Sequence, residues 1–329
     1  MSRYLVIFQS IVLGVLIILF VSYKSHQRLN TPPAIVSTIS ASTSPLRMSA
    51  SPAEYPYLSP VIVADHDRHF IINFKPLRDK LQATMNAQKN KTYVYFLYLN
   101  NASWIGLNEK DYFTAASTIK VPLAMSILKF AEKGRVKMTD SYTLTDLDLD
   151  PGFGDLYKVG PDGSFTLDEF VQIMLEHSDN TSMRALFTVM NMIDIKTPLD
   201  DIYAAMGWER PNKGDNLTYI DINLKTLANM FVSLYNGTYI NIDNSNKLLE
   251  YLAHSDFKDQ IPAGVPDSVS VAHKIGVNEP NNTYSDCGIV YVPGRPYILC
   301  VGSVGVQKKV ADSFISKISR TVYEYVITN

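Results

Sequence analysis

Residues 113–134, FTAASTIKVPLAMSILKFAEKG, combine a strong helical pattern with a serine and a lysine three positions apart. The apolar spacing predicts a helix from Thr114 to Glu132, and Gly134 is typical of the residues that follow a helix C-terminus. Ser117 then lies near the helix start, where unpaired backbone N–H groups and the positive end of the helix dipole favour negative charge. The segment therefore predicts a hydroxyl and an amine side by side at a helix N-terminus.

Strand-like sequence occurs on both sides of a long helical region. Near the N-terminal side, two runs, Thr92–Leu99 and Ser103–Asn108, are joined by the turn Asn100-Asn101, which predicts a hairpin. Strand character returns towards the C-terminus in Val269–Gly276, Asp286–Val292 and Pro296–Gly302. The two ends of the body therefore both contribute strands.

The region from about Asp140 to Asp259 has helical periodicity. The helices predicted there are Leu167–Leu175, Thr181–Met192, Leu199–Met206, Leu224–Tyr235 and Lys247–Leu252. Two more, Leu77–Ala87 and Asp312–Ile327, flank the strands. This order predicts an α+β fold with an antiparallel sheet made from both chain termini, flanked by helices, plus a mostly helical lobe.

Composition excludes several functional classes. The chain has 329 residues, and its formal net charge of −2 argues against nucleic-acid binding, which needs a basic surface. The two cysteines give no zinc-ligand spacing, and the His66-x-x-His69 spacing within residues 65–69, which could hold a metal, is interpreted instead as part of a solvated polar turn, so neither a metal nor a cofactor is expected. Cys287 and Cys300 fall on neighbouring predicted strands, about two residues out of register, which favours two packed thiols over a disulfide.

The N-terminus differs from the rest of the chain. Residues 4–23, YLVIFQSIVLGVLIILFVSY, are uncharged and, as a helix, long enough to cross a bilayer core of about 30 Å. We expect residues 1–23 to form an uncleaved transmembrane signal-anchor; a cleaved signal peptide and a buried core helix are the alternatives. Residues 24–60 are rich in Ser, Thr and Pro and are expected to form a flexible linker, which leaves residues 61–329 as the folded domain.

Three short motifs follow one another in the predicted domain: Ser117-Thr118-Ile119-Lys120, Ser178-Asp179-Asn180 and His273-Lys274-Ile275-Gly276. A serine hydroxyl needs a base within hydrogen-bond reach to act as a nucleophile. Residues three apart on a helix share a face, so the Lys120 amine can lie beside the Ser117 hydroxyl. A second cation, for which Lys274 is the candidate, would lower the pKa of Lys120 and let it act as a neutral base. Ser178 is a candidate proton relay.

The same serine–lysine spacing recurs in the predicted helix at Ser126 and Lys129. That pair lies in the helix interior, where the backbone N–H groups are already paired, whereas Ser117 lies at the helix start. His273 neighbours Lys274 on a strand and so points to the opposite face, which predicts a structural role for it.

The three motifs resemble the Ser-x-x-Lys, Ser-Asp-Asn and Lys-Thr-Gly elements of the superfamily of class A β-lactamases and penicillin-binding proteins. The resemblance covers the whole body from residue 61, including the strands at both ends and the closing helix. It implies a β-lactamase-like α/β sandwich and a serine hydrolase that forms an acyl-enzyme with β-lactams or D-Ala-D-Ala-type peptides. By this resemblance Ser117 is the nucleophile, Lys120 its base or proton relay, and Ser178 the proton shuttle to the leaving nitrogen.

The resemblance also implies substrate-binding residues. Asn180 contacts the substrate amide, and Lys274 tunes the electrostatics of the site and helps to bind a carboxylate. The backbone N–H of Val277, just after Gly276 on a strand edge, completes an oxyanion hole with the N–H of the nucleophile. Ile275 departs from the family pattern, because it stands where a threonine or serine hydroxyl usually contacts the substrate carboxylate.

A second departure concerns deacylation. Class A β-lactamases carry a Glu-x-x-Leu-Asn loop whose glutamate activates water, but residues 207–215 here read GWERPNKGD. Glu209 and Asp215 are the candidate replacements. Without a dedicated base, the chain is expected to behave as a D,D-peptidase or a slow β-lactamase.

The resemblance implies a β-lactam or a peptidoglycan stem peptide as the substrate. Such substrates lie outside the cytoplasm, so the expected protein is a single-pass cell-membrane protein with an extracytoplasmic catalytic domain. The alternative function is that of a membrane-tethered β-lactam sensor, which is acylated without turnover.

Overall fold

The computed structural model of the protein describes residue 57 and residues 72–195, 198–208 and 220–329. The predicted membrane span at 1–23 lies outside these residues, as does nearly all of the predicted linker at 24–60. Among the described helices, none combines the length and the apolar character that a membrane crossing requires. The signal-anchor and the boundaries at 23 and 60 therefore stay predictions.

The described residues alternate between strands and helices. The strands are β1 (Lys91–Tyr98), β2 (Trp104–Leu107), β3 (Phe113–Thr114), β4 (Ser141–Thr143), β5 (Ser164–Thr166), β6 (Asp221–Ile222), β7 (Val271–Asn278), β8 (Thr283–Val290) and β9 (Tyr297–Val304). The α-helices are α1 (Lys75–Asn86), α2 (Lys120–Glu132), α3 (Leu167–Glu176), α4 (Asn180–Met192), α5 (Pro198–Ala205), α6 (Leu224–Asn236), α7 (Ile242–Ala253) and α8 (Lys308–Thr328). Each long predicted element is present, with its ends shifted by a few residues.

The main sheet has the strand order β2-β1-β9-β8-β7, and each neighbouring pair is antiparallel. β1 pairs with β9 along its whole length, from Lys91 opposite Val304 to Tyr98 opposite Tyr297. The prediction of one antiparallel sheet made from both ends of the body is confirmed.

Both faces of the sheet are covered by helices. Side chains of β1 alternate between two hydrophobic cores, with Tyr93 and Tyr95 in one and Val94, Phe96 and Tyr98 in the other. The first core is shared with α2 to α7, which form the predicted helical lobe. The second is shared with α1 and α8. The sheet is therefore the middle layer of an α/β sandwich.

Polar residues define where several lobe helices begin. At α3, Thr166 and Glu169 form a reciprocal capping box. Asp179, Asn223 and Asn241 cap α4, α6 and α7 by accepting a backbone N–H three residues further on. α3, α4 and α6 begin within one residue of their predicted starts, whereas α7 begins at Ile242, five residues before the predicted start at Lys247.

The helix predicted from Thr114 begins later than expected. Thr114 belongs to β3 and pairs with Asp221 of β6, and a 3-10 turn at Ala116–Ile119 precedes α2. Strand pairing therefore overrides the helical propensity of the two alanines in this segment. Pro122 then lies in the first turn of α2, where no backbone N–H is needed.

The two cysteines contradict the expected register. Cys287 on β8 lies directly opposite Cys300 on β9, and the two form a disulfide. The connection between these strands runs over residues 291–296, which is longer than the three-residue turn assumed from the sequence. The prediction of two packed thiols is therefore wrong.

Candidate active site

Ser117 lies in the 3-10 turn that precedes α2. Ala116 has a φ of 47°, so the chain turns sharply just before the serine. The backbone N–H of Ala115 donates to Ile220 O at 2.7 Å, and the hydroxyl of Thr118 donates to Ala115 O at 2.6 Å. These bonds hold the turn in place, and Ser117 is half-buried at the helix start.

The outer strand β7 runs close to this turn, and its approach depends on Gly276. A Cβ on Gly276 would lie 2.9 Å from Ala115 O and 3.0 Å from Thr118 Cγ2. A side chain at this position would therefore push the strand away from the nucleophile turn. Val277 follows on the same outer strand, and the role of its N–H in an oxyanion hole stays a prediction.

Lys120 is the first residue of α2 and is only 1% exposed. Its Nζ lies 2.5 Å from the carbonyl oxygen of Ser178, 2.8 Å from Asn180 Oδ1 and 3.1 Å from Ser117 Oγ. The hydroxyl oxygen of Ser178 lies 3.4 Å away. One amine thus joins the first two predicted motifs.

The chemistry of these partners determines the orientation of a neutral Lys120 amine. Ser178 O and Asn180 Oδ1 can only accept hydrogen bonds, so each takes one N–H of the amine. The remaining lone pair must then face a group that can donate, and the hydroxyls of Ser117 and Ser178 are the candidates. The amine is therefore held ready to accept a proton from a serine.

Burial lowers the pKa of Lys120 to about 7, and the carboxylates of Asp179 and Asp150 offset part of that effect. The cause differs from the sequence hypothesis, in which the charge of Lys274 lowers this pKa. Burial also holds the pKa of Lys274 well below its ordinary value, with a further contribution from Lys120. Desolvation, rather than repulsion by Lys274, is thus the main cause of the lowered pKa of Lys120.

The Ser178 turn is strained and firmly supported. Ser178 has a φ of 55°, a backbone conformation that costs about 1–3 kcal/mol in residues other than glycine. The next residue, Asp179, accepts the N–H of Ser182 at 2.7 Å and that of Leu156 at 2.9 Å. Gly154 packs against Asp179 so closely that no side chain fits there. These contacts hold the Ser178 carbonyl in the orientation in which it accepts a hydrogen bond from Lys120.

Asn180 is oriented by groups on both sides of its amide. Its Oδ1 accepts from Lys120, while its Nδ2 lies 3.4 Å from Asp150 Oδ1. Asp150 in turn accepts from Arg184 Nε at 2.8 Å, and the backbone N–H of Asn180 donates to Phe153 O at 2.9 Å. Contact of Asn180 with a substrate amide stays a prediction.

Lys274 on β7 is fully buried, and its Nζ has no hydrogen-bond partner among the described residues. The ammonium lies 5.5 Å from the centre of the Phe257 ring. A buried amine without a hydrogen-bonding partner is costly, and an anionic ligand beside it would supply an acceptor and favour its charged form. Lys274 is close enough to Lys120 for their charges to interact.

The neighbours of Lys274 on β7 lie on the other face of the sheet. His273 is fully buried there, with its Nδ1 2.8 Å from Asp286 Oδ1. Asp286 also accepts the backbone N–H of Ile261 at 2.9 Å. Ile275 alternates with Lys274 in the same way and is buried. The structural role predicted for His273 agrees with this arrangement.

The second serine–lysine pair does not form a site. The Ser126 hydroxyl donates to Pro198 O at 2.7 Å and so joins α2 to α5. Lys129 pairs with Glu132 at 3.1 Å instead. The candidate deacylation bases Glu209 and Asp215 lie outside the described residues, so their roles stay predictions.

Three residues that sequence reasoning missed belong to this site: Asp150, Phe153 and Phe257. The glycines on either side of Phe153 were a usable signal, because paired glycines mark a backbone that packs closely against its surroundings. Asp150 lies in an acidic run that reads as a solvated loop. Nothing in the local sequence singles out Phe257.

The fold is an α/β sandwich, and the site places the buried amine of Lys120 3.1 Å from the hydroxyl oxygen of Ser117. A model of the beta-lactamase enzyme family matches residues 76–326. The chain therefore belongs to the beta-lactamase enzyme family, within the superfamily of class A β-lactamases and penicillin-binding proteins.

Individual relatives are distant but cover most of the chain. Beta-lactamase VEB-1 from Pseudomonas aeruginosa is 22% identical in an alignment over 275 residues that covers 75% of this chain and 89% of that protein. The structure of PBP-A has a TM-score of 0.69 at 22% identity, covering 76% of this chain and 95% of that one. A beta-lactamase from Sphaerobacter thermophilus has a TM-score of 0.71 at 18% identity, covering 78% and 99%. These structures confirm the predicted fold.

The pKa of Lys120 predicts how the reactivity of Ser117 depends on pH. Below about pH 7 the amine is protonated and cannot accept a proton, so the second-order rate constant for labelling by a fluorescent penicillin should fall about tenfold per pH unit. Above pH 7 the rate constant should level off. Stopped-flow or quenched labelling across this range measures it. A rate constant independent of pH on both sides of neutrality would contradict Lys120 as the base.

Proposed function

We propose that the chain is an active-site-serine hydrolase that forms an acyl-enzyme on Ser117 with β-lactams or with D-Ala-D-Ala-type peptides. The observation that carries this proposal is the buried Lys120 amine, 3.1 Å from Ser117 Oγ, with its other nearest partners limited to acceptors. Support for a penicillin as acyl donor comes from PBP-A, a mutant of which has been described as an acyl-enzyme complex with penicillin G.

In the proposed acylation, neutral Lys120 takes the proton of Ser117 Oγ as this oxygen attacks the carbonyl carbon. The negative charge that develops on the carbonyl oxygen is held by the backbone N–H groups of Ser117 and Val277. The carbon–nitrogen bond then breaks, and Ser178 donates its proton to the leaving nitrogen. Lys120 lies 3.4 Å from Ser178 Oγ and returns the proton to it. The products of this step are the ester on Ser117 and an amine, which departs from a peptide substrate but stays attached to the acyl group of an opened β-lactam.

Substrate binding follows from the remaining residues of the site. Lys274 binds the carboxylate that β-lactams and D-Ala-D-Ala peptides both carry, and Asn180 binds the substrate amide. Because an isoleucine side chain has no hydroxyl, Ile275 gives that carboxylate no hydrogen bond, and the interaction depends more heavily on Lys274.

Hydrolysis is favoured over the tethered sensor because the matched family is a family of enzymes. The two functions share the acylation step and differ only in whether water releases the adduct. Turnover of β-lactams, compared with turnover of D-Ala-D-Ala-type peptides, distinguishes a β-lactamase from a D,D-peptidase.

Labelling of Ser117 can be tested against a control within the same helix. Ser117→Ala should abolish covalent labelling by a fluorescent penicillin, because it removes the only hydroxyl proposed to attack. Ser126→Ala removes a hydroxyl of the same sequence spacing, costs about 1–3 kcal/mol of stability through its lost bond to Pro198, and should keep labelling of the folded protein. A peptide map with the label on Ser126 would refute the assignment.

We further propose that deacylation is slow, because residues 207–215 lack the glutamate loop that activates water in class A β-lactamases. A missing base worth about 10²–10⁴ in rate should leave a long-lived adduct, seen as a burst followed by slow turnover of a chromogenic cephalosporin. Glu209→Gln should change the slow phase little, and Asp215→Asn should slow it modestly if Asp215 lies near the ester. Fast, burst-free turnover that collapses in Glu209→Gln would identify Glu209 as the base of a full β-lactamase.

We also propose that the protein is a single-pass membrane protein with this domain outside the cytoplasm. Support comes from the apolar run at 4–23 and from the disulfide between Cys287 and Cys300, which fits an oxidising compartment. Protease added to spheroplasts should release a soluble fragment that begins near residue 60. Recovery of the intact, membrane-bound chain after digestion would contradict this topology.

A further inference from the structure

Two aromatic rings meet beside the site. Phe153 and Phe257 come from separate loops, and their ring centroids lie 5.7 Å apart at an angle of 43°. The carbonyl of Phe153 accepts the N–H of Asn180, while the ring of Phe257 lies over Lys274. The aromatic pair therefore connects the Ser178–Asn180 turn to the lysine on the outer strand.

The Phe257 ring covers Lys274, and a ligand can replace this ring as the neighbour of the amine. Its ammonium is fully buried, yet its Nζ finds no hydrogen-bond acceptor among the residues that the structure describes. An aromatic face attracts a cation only moderately, whereas a carboxylate forms a charge-assisted hydrogen bond with it. A substrate carboxylate would thus take the place of the Phe257 ring.

The loop that carries Phe257 is attached at the surface. The backbone N–H of Asp256 donates to Glu176 O at 3.1 Å, and its carboxylate lies 2.6 Å from His177 Nδ1. Both side chains of that pair are about half exposed, at 47% for His177 and 61% for Asp256, and exposed pairs are weak. The His177–Asp256 pair therefore contributes little to holding the ring in place.

We propose that Phe257, backed by Phe153, is a specificity-determining cover on Lys274 that a substrate carboxylate must displace before Ser117 is acylated. The proposal rests on the proposed function of the site. It predicts that the cover slows the reaction of acyl donors that use Lys274 and leaves donors without a carboxylate unaffected.

The first test measures the cover without any catalysis. Lysines of the full chain are pulse-labelled with acetic anhydride in alkaline buffer, and the label on Lys274 is quantified by peptide mass spectrometry. Phe257→Ala should raise the labelling rate of Lys274 at least about tenfold, which corresponds to about 1.4 kcal/mol of protection. Equal protection in the variant and the wild type would overturn the proposal.

Phe165→Ala is the matched control. Phe165 is also half-buried and paired with another ring, Phe170, at 5.5 Å, but that pair belongs to β5 and α3 in the helical lobe. This variant should leave Lys274 as protected as in the wild type. Equal deprotection in both variants would show general loosening of the domain and would likewise overturn the proposal.

The second test compares a penicillin with its methyl ester as acyl donors. In Phe257→Ala, the second-order rate constant for acylation by the free carboxylate should rise about tenfold, while that for the ester should change less than about twofold. A fall for the carboxylate, or equal changes for both, would overturn the proposal. If the wild type is acylated by neither, the proposed function fails, and the acetylation result alone decides whether Phe257 covers Lys274.

Discussion

The site depends on keeping the amine of Lys120 away from water while surrounding it with fixed oxygen atoms. Burial alone would make the charged form costly, and a lysine on a mobile stem would otherwise turn towards solvent. Here the carbonyl of Ser178 and the amide oxygen of Asn180 hold the amine at one point, 3.1 Å from Ser117 Oγ. The same buried position thus lowers the pKa of Lys120 and fixes the orientation of its amine.

Many of the other features maintain this arrangement without touching it. The left-handed backbone at Ser178 aims its carbonyl inward, and Asp179 and Gly154 hold that conformation from behind. On the other side of Ser117, the absence of a side chain at Gly276 lets β7 pack closely against the 3-10 turn that carries Ser117. The strain of one residue is compensated by neighbours that have no chemical role, which is the usual pattern at functional sites.

Sequence alone predicts the parts of this molecule that rest on local pattern. Helical periodicity, strand patterns and the three short motifs are local features. They predict the fold, and they single out Ser117, Lys120, Ser178 and Asn180, which the structure brings into one site. What sequence alone misses depends on contacts between distant segments: the strand pairing of Thr114 with Asp221 that delays α2, the register of the disulfide, and the position of Phe257 over Lys274. Such contacts leave no periodic trace in the chain.

The pairing of β1 with β9 has a consequence for how the chain acquires its structure. β1 is made early, but its partner spans residues 297–304, so that ladder can close only after the helical lobe has been synthesised. Such high contact order makes folding slow, and it leaves β1 with one unpaired side throughout biosynthesis. The hairpin of β8 and β9, by contrast, spans few residues and can form on its own and be locked by its disulfide. β1 therefore joins the sheet late, by pairing with the β9 strand of this hairpin.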